Sequence, residues 1–243
     1  MDTNHVFQFN CSPGVPCFTQ CCRDVTIVLT PYDVVRLKNA LKINSEEFLD
    51  RHTIILPKET RLIPMVVLKM NEDDNKRCPF VSERGCSLYE DRPWSCRMFP
   101  LDMNDDGTFS FVDDKSRCKG LFRKETQRIS DWLVEQGVPI YDEVNDLFTH
   151  VTAPLRAQDL DIDNPKIYQM VFMALYNLDK FRKFVFESSF LDRFVLEDIT
   201  IEKLKRNDLE LLKFSFDWIK FGLLGQKTLV VKTPPEADNE NAG

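Results

Sequence analysis

The chain has 243 residues, with 32 Lys and Arg against 39 Asp and Glu, and the formal charge of −7 argues against a protein that binds nucleic acid through general electrostatics. Its eight glycines include no G-x-G spacing, so neither a Rossmann fingerprint nor a Walker A loop is present. A hydrophobic content of 43% is sufficient for a folded core. We therefore expect a globular protein that has no P-loop and no ordinary dinucleotide site.

The first half of the chain predicts short elements joined by loops. Two prolines and a glycine break residues 10–24 into a loop, and residues 25–29 predict a short strand. Thr30, followed by Pro31 and Asp33, is typical of a capped helix start. The remaining elements predicted here are a helix from Ser45, a strand at 64–70, an acidic turn at 72–75, and a hairpin whose strands flank the Asp-Gly turn at 106–107.

After Cys118 the hydrophobic pattern indicates helices throughout. The predicted helices are one with Leu121, Ile129, Trp132 and Leu133 on one face, one opened by Pro139, a long one from Pro165 that carries Ile167 to Phe181, and one over about residues 208–221. We expect an α+β fold in which a small cysteine-rich module (1–122) precedes a mainly helical region (123–232) and a flexible tail (233–243). The helical region is expected to offer a surface to a protein partner.

The cellular compartment decides how cysteines are interpreted. The first residues show no basic segment, apolar segment or cleavage site of a secretory signal. No apolar stretch approaches the roughly 20 residues that span a bilayer. We therefore expect a cytoplasmic protein without a membrane span, and in a reducing cytosol structural disulfides are uncommon.

All eight cysteines lie in the first 118 residues, and the other 125 contain none. The pattern is Cys11-x5-Cys17-x3-Cys21-Cys22, then Cys78-x7-Cys86-x9-Cys96, then Cys118. Packing alone would scatter thiols among other small apolar residues, so this grouping indicates shared ligands or cross-links. A metal or iron–sulfur centre is favoured over disulfides and over unrelated buried thiols. The isolated His5, His52 and His150 are interpreted as surface or core residues, with His5 as a reserve ligand.

The spacing excludes several familiar metal sites. No C-x2-C occurs, so zinc ribbons, zinc fingers and bacterial ferredoxin patterns do not fit, and Asp24 stands where a radical-SAM triplet would need a third cysteine. A structural zinc or a cubane cluster takes four thiolates, so eight cysteines allow one site with four spares or two complete sites. Adjacent Cys21 and Cys22 chelate one ion poorly, so they face different ions or divide into ligand and spare.

Arginines accompany the cysteines: Arg23, Arg77, Arg92, Arg97 and Arg117. A guanidinium beside a thiol lowers its pKa and offsets the negative charge of a thiolate site. The alternative is that about half of these arginines form ordinary surface pairs with nearby acids.

The segment CPFVSERGCSLYEDRPWSCRMFP at residues 78–100 resembles the signature of the YkgJ-type cysteine-cluster proteins, as does the upstream Cys17-x3-Cys21-Cys22. The resemblance covers about residues 9–122, and the chain differs from the commonest form in its longer gap before Cys17. Such proteins are largely bacterial and are described as zinc- or iron-chelating. The resemblance implies that metal is bound by Cys17, Cys21, Cys22, Cys78, Cys86 and Cys96, with Cys11 and Cys118 as further ligands.

Several functions follow from the resemblance. The first is a metal-binding protein that holds zinc, iron or an iron–sulfur cluster. The same cysteine cluster occurs in flagellin lysine N-methylases, so a protein N-methyltransferase is the enzymatic alternative, although no SAM-binding loop is recognisable. A redox iron–sulfur protein is the third. The sequence leaves the metal and any catalytic residue open.

Overall fold

The computed structural model describes residues 1–56, 63–113, 116–157 and 164–233. Its strands are β1 (Val6–Gln8), β2 (Val28–Leu29), β3 (Thr53–Ile55), β4 (Val66–Leu68), β5 (Val81–Ser82), β6 (Gly85–Cys86), β7 (Leu101–Met103), β8 (Phe109–Phe111), β9 (Thr126–Arg128), β10 (Phe194–Val195) and β11 (Val230–Val231). Its helices are α1 (Pro31–Leu41), α2 (Ser45–His52), α3 (Trp94–Met98), α4 (Ile129–Glu135), α5 (Val138–Ala157), α6 (Pro165–Leu175), α7 (Leu178–Glu187), α8 (Phe190–Arg193), α9 (Asp198–Arg206) and α10 (Asp208–Leu224). Short 3-10 helices occupy Gln20–Cys22, Glu72–Asp74, Tyr89–Asp91 and Lys119–Phe122. Small sheets in the N-terminal part and a helical C-terminal half confirm the predicted α+β class.

Helix α1 begins where its capping residues predict. The Thr30 hydroxyl accepts a hydrogen bond from Asp33 N at 3.3 Å, and the Asp33 carboxylate accepts one from Thr30 N at 2.8 Å. Pro31 fits the first turn because its missing N–H would have no partner there. The buried face of α1 carries Val34 and Leu37, which pack in the main core.

A three-stranded antiparallel sheet lies beside α1, with β4 between β2 and β3. Val66 and Leu68 of β4 are buried, and Leu29 of β2 joins them in the core. The predicted hairpin is confirmed as β7 and β8, with Gly107 at a positive φ of 78° in the turn. Strands β5 and β6 form a second tight hairpin, whereas β10 and β11 pair antiparallel across the intervening α9 and α10.

Helix α10 organises the helical half, where it packs against α5, α6, α7 and α9 and also contacts α1. Its residues Leu211, Phe216 and Ile219 are almost fully buried. Helix α6 begins at Pro165, as predicted, with Asn164 as its cap. The part of the chain with coordinates contains no helix that combines the length and apolarity needed to cross a membrane.

The prediction of one long helix through Phe181 is wrong, because the chain breaks between α6 and α7. Asn177 accepts a hydrogen bond from Lys180 N at 3.3 Å and so caps α7 as a new helix. Tyr176 leaves helical geometry, and its buried hydroxyl donates to the Leu29 carbonyl at 3.3 Å. The hydrogen bond from Tyr176 at this break therefore connects the helical half to β2.

The prediction of helices throughout after Cys118 also needs correction. Residues of β9 pair antiparallel with β1, in the register Phe7↔Gln127, and α4 begins only at Ile129. Leu121 lies in a separate 3-10 helix rather than on the α4 face. The N-terminal strand thus uses a segment of the second half as its pairing partner.

Two hydrophobic clusters form the interior. The larger contains residues of both halves, from Leu29 and Phe48 to Phe216 and Ile219. The smaller is formed mainly by Phe7, Phe9, Met98, Leu101, Phe109, Leu121, Ile129 and Val138. The proposed boundary after residue 122 stays a prediction. The tail predicted at 233–243 falls almost entirely outside the described residues.

Candidate metal centre

The structure describes all eight cysteines, and every one of them is a free thiol. Cys11 is exposed and Cys118 is buried, whereas the other six are partly buried. Cys86 lies in β6 and Cys96 in α3, while the remaining cysteines lie in turns or at 3-10 helices. A disulfide framework is therefore absent from this arrangement.

Four of the cysteines converge where the N-terminal loop meets the segment after residue 116. We call Cys11, Cys17, Cys21 and Cys118 the Cys11 set. Asn10 N donates to Gly120 O at 3.2 Å, and Lys119 N donates to the Cys17 sulfur at 3.1 Å. The thiol of Cys11 lies within electrostatic range of the other three sulfurs.

The other four cysteines converge beside α1, and we call Cys22, Cys78, Cys86 and Cys96 the Cys96 set. Cys78 N donates to Cys22 O at 2.9 Å, and β5–β6 pairing places Cys86 opposite Val81, whose N–H donates to Cys78 O at 3.1 Å. Cys96 lies within electrostatic range of Cys78 and Cys86, and Cys22 lies within range of Cys78 and Cys96.

Asp33 holds the helix that carries Cys96. Its Oδ2 caps α1 through Thr30 N, and its Oδ1 accepts a hydrogen bond from Trp94 N, the first residue of α3, at 2.8 Å. Burial raises the pKa of this carboxyl to about 6, although both backbone donors oppose the shift. The sequence identified Asp33 only as a helix-start residue, because its contact with α3 depends on tertiary structure.

Two buried arginines flank the Cys96 set. The Arg92 guanidinium stacks 3.7 Å from the Tyr89 ring centroid and donates to Tyr89 O and to the Gln136 side chain. Arg97 donates to Gln136 O at 2.6 Å, to Arg92 O at 3.0 Å and to Glu90 O. Neither guanidinium forms an ion pair with a carboxylate of the described residues. The positive charge of Arg92 thus acts on Cys86 and Cys96, whereas that of Arg97 acts on the buried Asp33 carboxyl.

The other arginines behave as the alternative interpretation predicts. Arg23 and Arg77 pair with Asp74, and Arg117 pairs with Asp113 at 3.3 Å. Arg92 supports the loop before Cys96 through contacts within the protein. Gln136, which accepts from both buried arginines, gave no signal in the sequence.

Six of the thiols have a raised pKa and are held in their protonated form by their surroundings. Burial, and then the charges of neighbouring thiols, raise the pKa of Cys96 and of Cys11 to about 12. Burial also raises the pKa of Cys78, Cys86 and Cys118. Metal binding at neutral pH must therefore release protons from these thiols.

Cys21 and Cys22 connect the two sets. A hydrogen bond between their side chains lowers the pKa of Cys21 and raises that of Cys22. This asymmetry makes Cys21 the more readily ionised member of the pair.

The sulfurs are near one another but are not at ligand distances. Among the residues with coordinates, no three His, Cys, Asp or Glu side chains form a ready metal site. The donor set nevertheless suits zinc or iron, since both are held by four thiolates in proteins. Side-chain movement has to bring the sulfurs together. His52 packs against Phe48 and Phe80, and His150 hydrogen-bonds within α5, so both are structural residues.

Comparison with known proteins agrees with this description. No curated protein and no solved structure shows significant similarity to the chain. A family model described as a "putative zinc- or iron-chelating domain" matches residues 10–127, a range that contains all eight cysteines. Within residues 10–127 the chain therefore carries a segment that matches the family of zinc- or iron-chelating domains.

Proposed function

We propose that the protein binds zinc or iron through thiolates of its clustered cysteines. The observation that carries the proposal is the grouping of eight free thiols, each within electrostatic range of at least two others, inside the family-matched segment. Arg92 supports it, because it forms no ion pair with a carboxylate of the described residues and its charge, which acts on Cys86 and Cys96, would offset that of a thiolate site. The proposed ligands are Cys11, Cys17, Cys21, Cys22, Cys78, Cys86, Cys96 and Cys118.

The bound metal would supply cross-links between segments that share little regular structure. The loop before residue 23, the segment at 76–87, α3 and the turn at Cys118 contact one another mainly through single backbone hydrogen bonds and small clusters. Four thiolates per ion replace loose packing by strong bonds, which is how structural zinc stabilises small modules. The protein side of this function is to bring the thiols together and to neutralise their charge.

The first test is elemental analysis, with an absorption spectrum, of protein purified without oxygen. We expect stoichiometric zinc or iron in the wild type and less in Cys86→Ser and in Cys96→Ser, because each removes one ligand. Ser12→Ala, next to Cys11, is the matched control and should keep the full metal content. Full metal in both cysteine variants, or metal-free wild-type protein, would contradict the proposal.

The same sample tests the other predicted functions. Iron with acid-labile sulfide and broad absorbance near roughly 400 nm would support the redox iron–sulfur protein. Saturable SAM binding with methyl transfer to lysine would support the N-methyltransferase. Colourless protein with zinc favours a structural site.

A further inference from the structure

We infer that the eight cysteines form two separate four-thiol metal centres, one from the Cys11 set and one from the Cys96 set. This inference rests on the proposed metal-binding function and specifies the number, membership and character of its sites. Each set supplies the four thiolates that one zinc ion or one cubane cluster takes.

Backbone contacts link most members of each set without reference to any charge. The loop of Cys11 and Cys17 is fixed to the Cys118 turn by the bonds from Asn10 N to Gly120 O and from Lys119 N to the Cys17 sulfur. Gly120 permits this approach, because a Cβ there would lie 2.9 Å from the Phe9 ring and 3.0 Å from Asn10 O. The contact is therefore close and built into the local sequence.

The Cys96 set has its own framework. The bond from Cys78 N to Cys22 O and the bridge between Arg23 and Arg77 align the two segments as a short antiparallel pair. The β5–β6 turn then returns Cys86 towards Cys78.

The two sets lie against different hydrophobic clusters. Cys78 and Cys86 pack against the larger cluster, which also contains α1 and α10. Cys118 belongs to the smaller cluster, with Phe9 and Leu121. A single centre shared by both sets would have to draw thiols from two separate cores into one coordination sphere, which close packing resists.

Cys21 and Cys22 divide between the centres because they have different neighbours. They are adjacent in the 3-10 helix Gln20–Cys22, and a hydrogen bond joins their side chains. Cys21 lies in range of Cys11 and Cys118, whereas Cys22 lies in range of Cys78 and Cys96. One peptide unit therefore links the two centres.

The centres differ in charge and in access. Arg92 acts on both Cys86 and Cys96 and would offset part of the charge of about −2 that a dication with four thiolates carries, whereas Asp33 acts on Cys96 with the opposite sign. The Cys11 set has Asp113 acting on Cys21, and its Cys11 is exposed. We therefore expect the Cys11 centre to lose metal to a chelator before the Cys96 centre.

The test is a titration of reduced, metal-free protein with Co²⁺, followed by thiolate-to-metal absorption and by electron paramagnetic resonance. We expect two Co²⁺ per chain, and an uncoupled high-spin signal that grows in proportion to the metal added. Two ions sharing bridging thiolates would be spin-coupled, so a signal that collapses at full loading would overturn the inference. One ion per chain would overturn it too and leave the proposed function intact, whereas no binding would defeat both.

Paired variants assign the ligands. Each of the two double variants should keep one Co²⁺; they are Cys11→Ser/Cys118→Ser and Cys86→Ser/Cys96→Ser. In the wild type a chelator should remove one of the two ions quickly, and this quickly removed ion should be missing only from the Cys11→Ser/Cys118→Ser variant. Loss of both ions in either double variant, with helical circular dichroism retained, would indicate one shared centre. Should a double variant unfold, the wild-type stoichiometry and spin signal still decide the question.

Discussion

At the scale of single residues, Asp33 connects the helix framework to the proposed metal ligands. One carboxylate oxygen accepts a hydrogen bond from Thr30 N at the N-terminus of α1. The other accepts one from Trp94 N, two residues before Cys96 in sequence. The carboxyl is buried, so its hydrogen bonds cannot be replaced by water. Asp33 is thus a positioning residue for α3, and it touches no proposed metal.

Asp33→Ala removes the acceptor for both Thr30 N and Trp94 N. We expect the free energy of unfolding at pH 7 to fall by about 2–3 kcal/mol, because buried donors lose their partners. We also expect weaker metal binding, measured by chelator competition, because α3 is no longer anchored.

Thr30→Ala is the matched control for this prediction. It removes only the hydroxyl that accepts from Asp33 N, so stability should fall by about 1 kcal/mol while metal affinity is kept. Equal loss of metal affinity in the two variants would show that Asp33 acts through overall stability alone.

At the scale of elements, a buried charge cluster joins α1 to the helical half. Lys38 of α1 is 4% exposed, and its amine lies 2.7 Å from Asp208 and 3.4 Å from Asp179. Arg182 of α7 pairs with both carboxylates. Desolvation by itself would raise the pKa of both carboxyls. Hydrogen bonding from Lys38 nevertheless lowers the pKa of Asp208, and hydrogen bonding from Ser45 together with the charge of Lys38 lowers the pKa of Asp179.

This cluster predicts a pH-dependent contribution to stability. Carboxyls with a depressed folded pKa stabilise the protein above their ordinary value of 3.8, and the contribution is lost as the pH falls through the folded pKa. Lys38→Met should cost about 1–3 kcal/mol at pH 7, because the half-buried Asp179 and Asp208 lose one cationic partner and keep only Arg182. The difference from wild type, measured by denaturant unfolding, should shrink below about pH 4.

Lys213→Met provides the surface comparison for the Lys38 variant. Lys213 pairs with the exposed Glu143 at 3.0 Å, so its loss should cost less than about 1 kcal/mol at any pH. A cost for Lys38→Met that does not change with pH would contradict the proposed role of the carboxylates.

Local signals explain which elements were predictable. The α1 start and the β7–β8 turn depend on neighbours in sequence, Thr30 with Asp33 and Asp106 with Gly107, and both are confirmed. The break at Asn177 and the strand β9 depend on distant partners, Leu29 and β1. The spacing of hydrophobic residues along the sequence does not reveal such partners. The cysteine pattern likewise identifies a group of thiols, but its division into two sets requires the folded positions of the Cys118 turn and the Cys78 segment.

At the scale of the whole molecule, the two halves differ in what holds them together. Helices around α10 bury large side chains such as Phe181, Phe216 and Trp218 in a continuous core. The cysteine segments carry short strands of two or three residues and a smaller core. Metal ligation should therefore stabilise the cysteine segments more than the helical half.

Removal of the metal by a chelator under reducing conditions should loosen the cysteine segments selectively. Hydrogen exchange should accelerate on the order of tenfold or more for amides at 10–24, 76–96 and 116–122, since each factor of ten corresponds to about 1.4 kcal/mol of lost local stability. Amides of α10 should change little, because the aromatic core around them needs no metal. A variant with all eight cysteines replaced by serine controls for effects of the chelator itself and should show no response. Equal acceleration of hydrogen exchange in both halves would contradict this prediction. It would mean that metal removal destabilises the helical half as well and that the molecule unfolds as one cooperative unit.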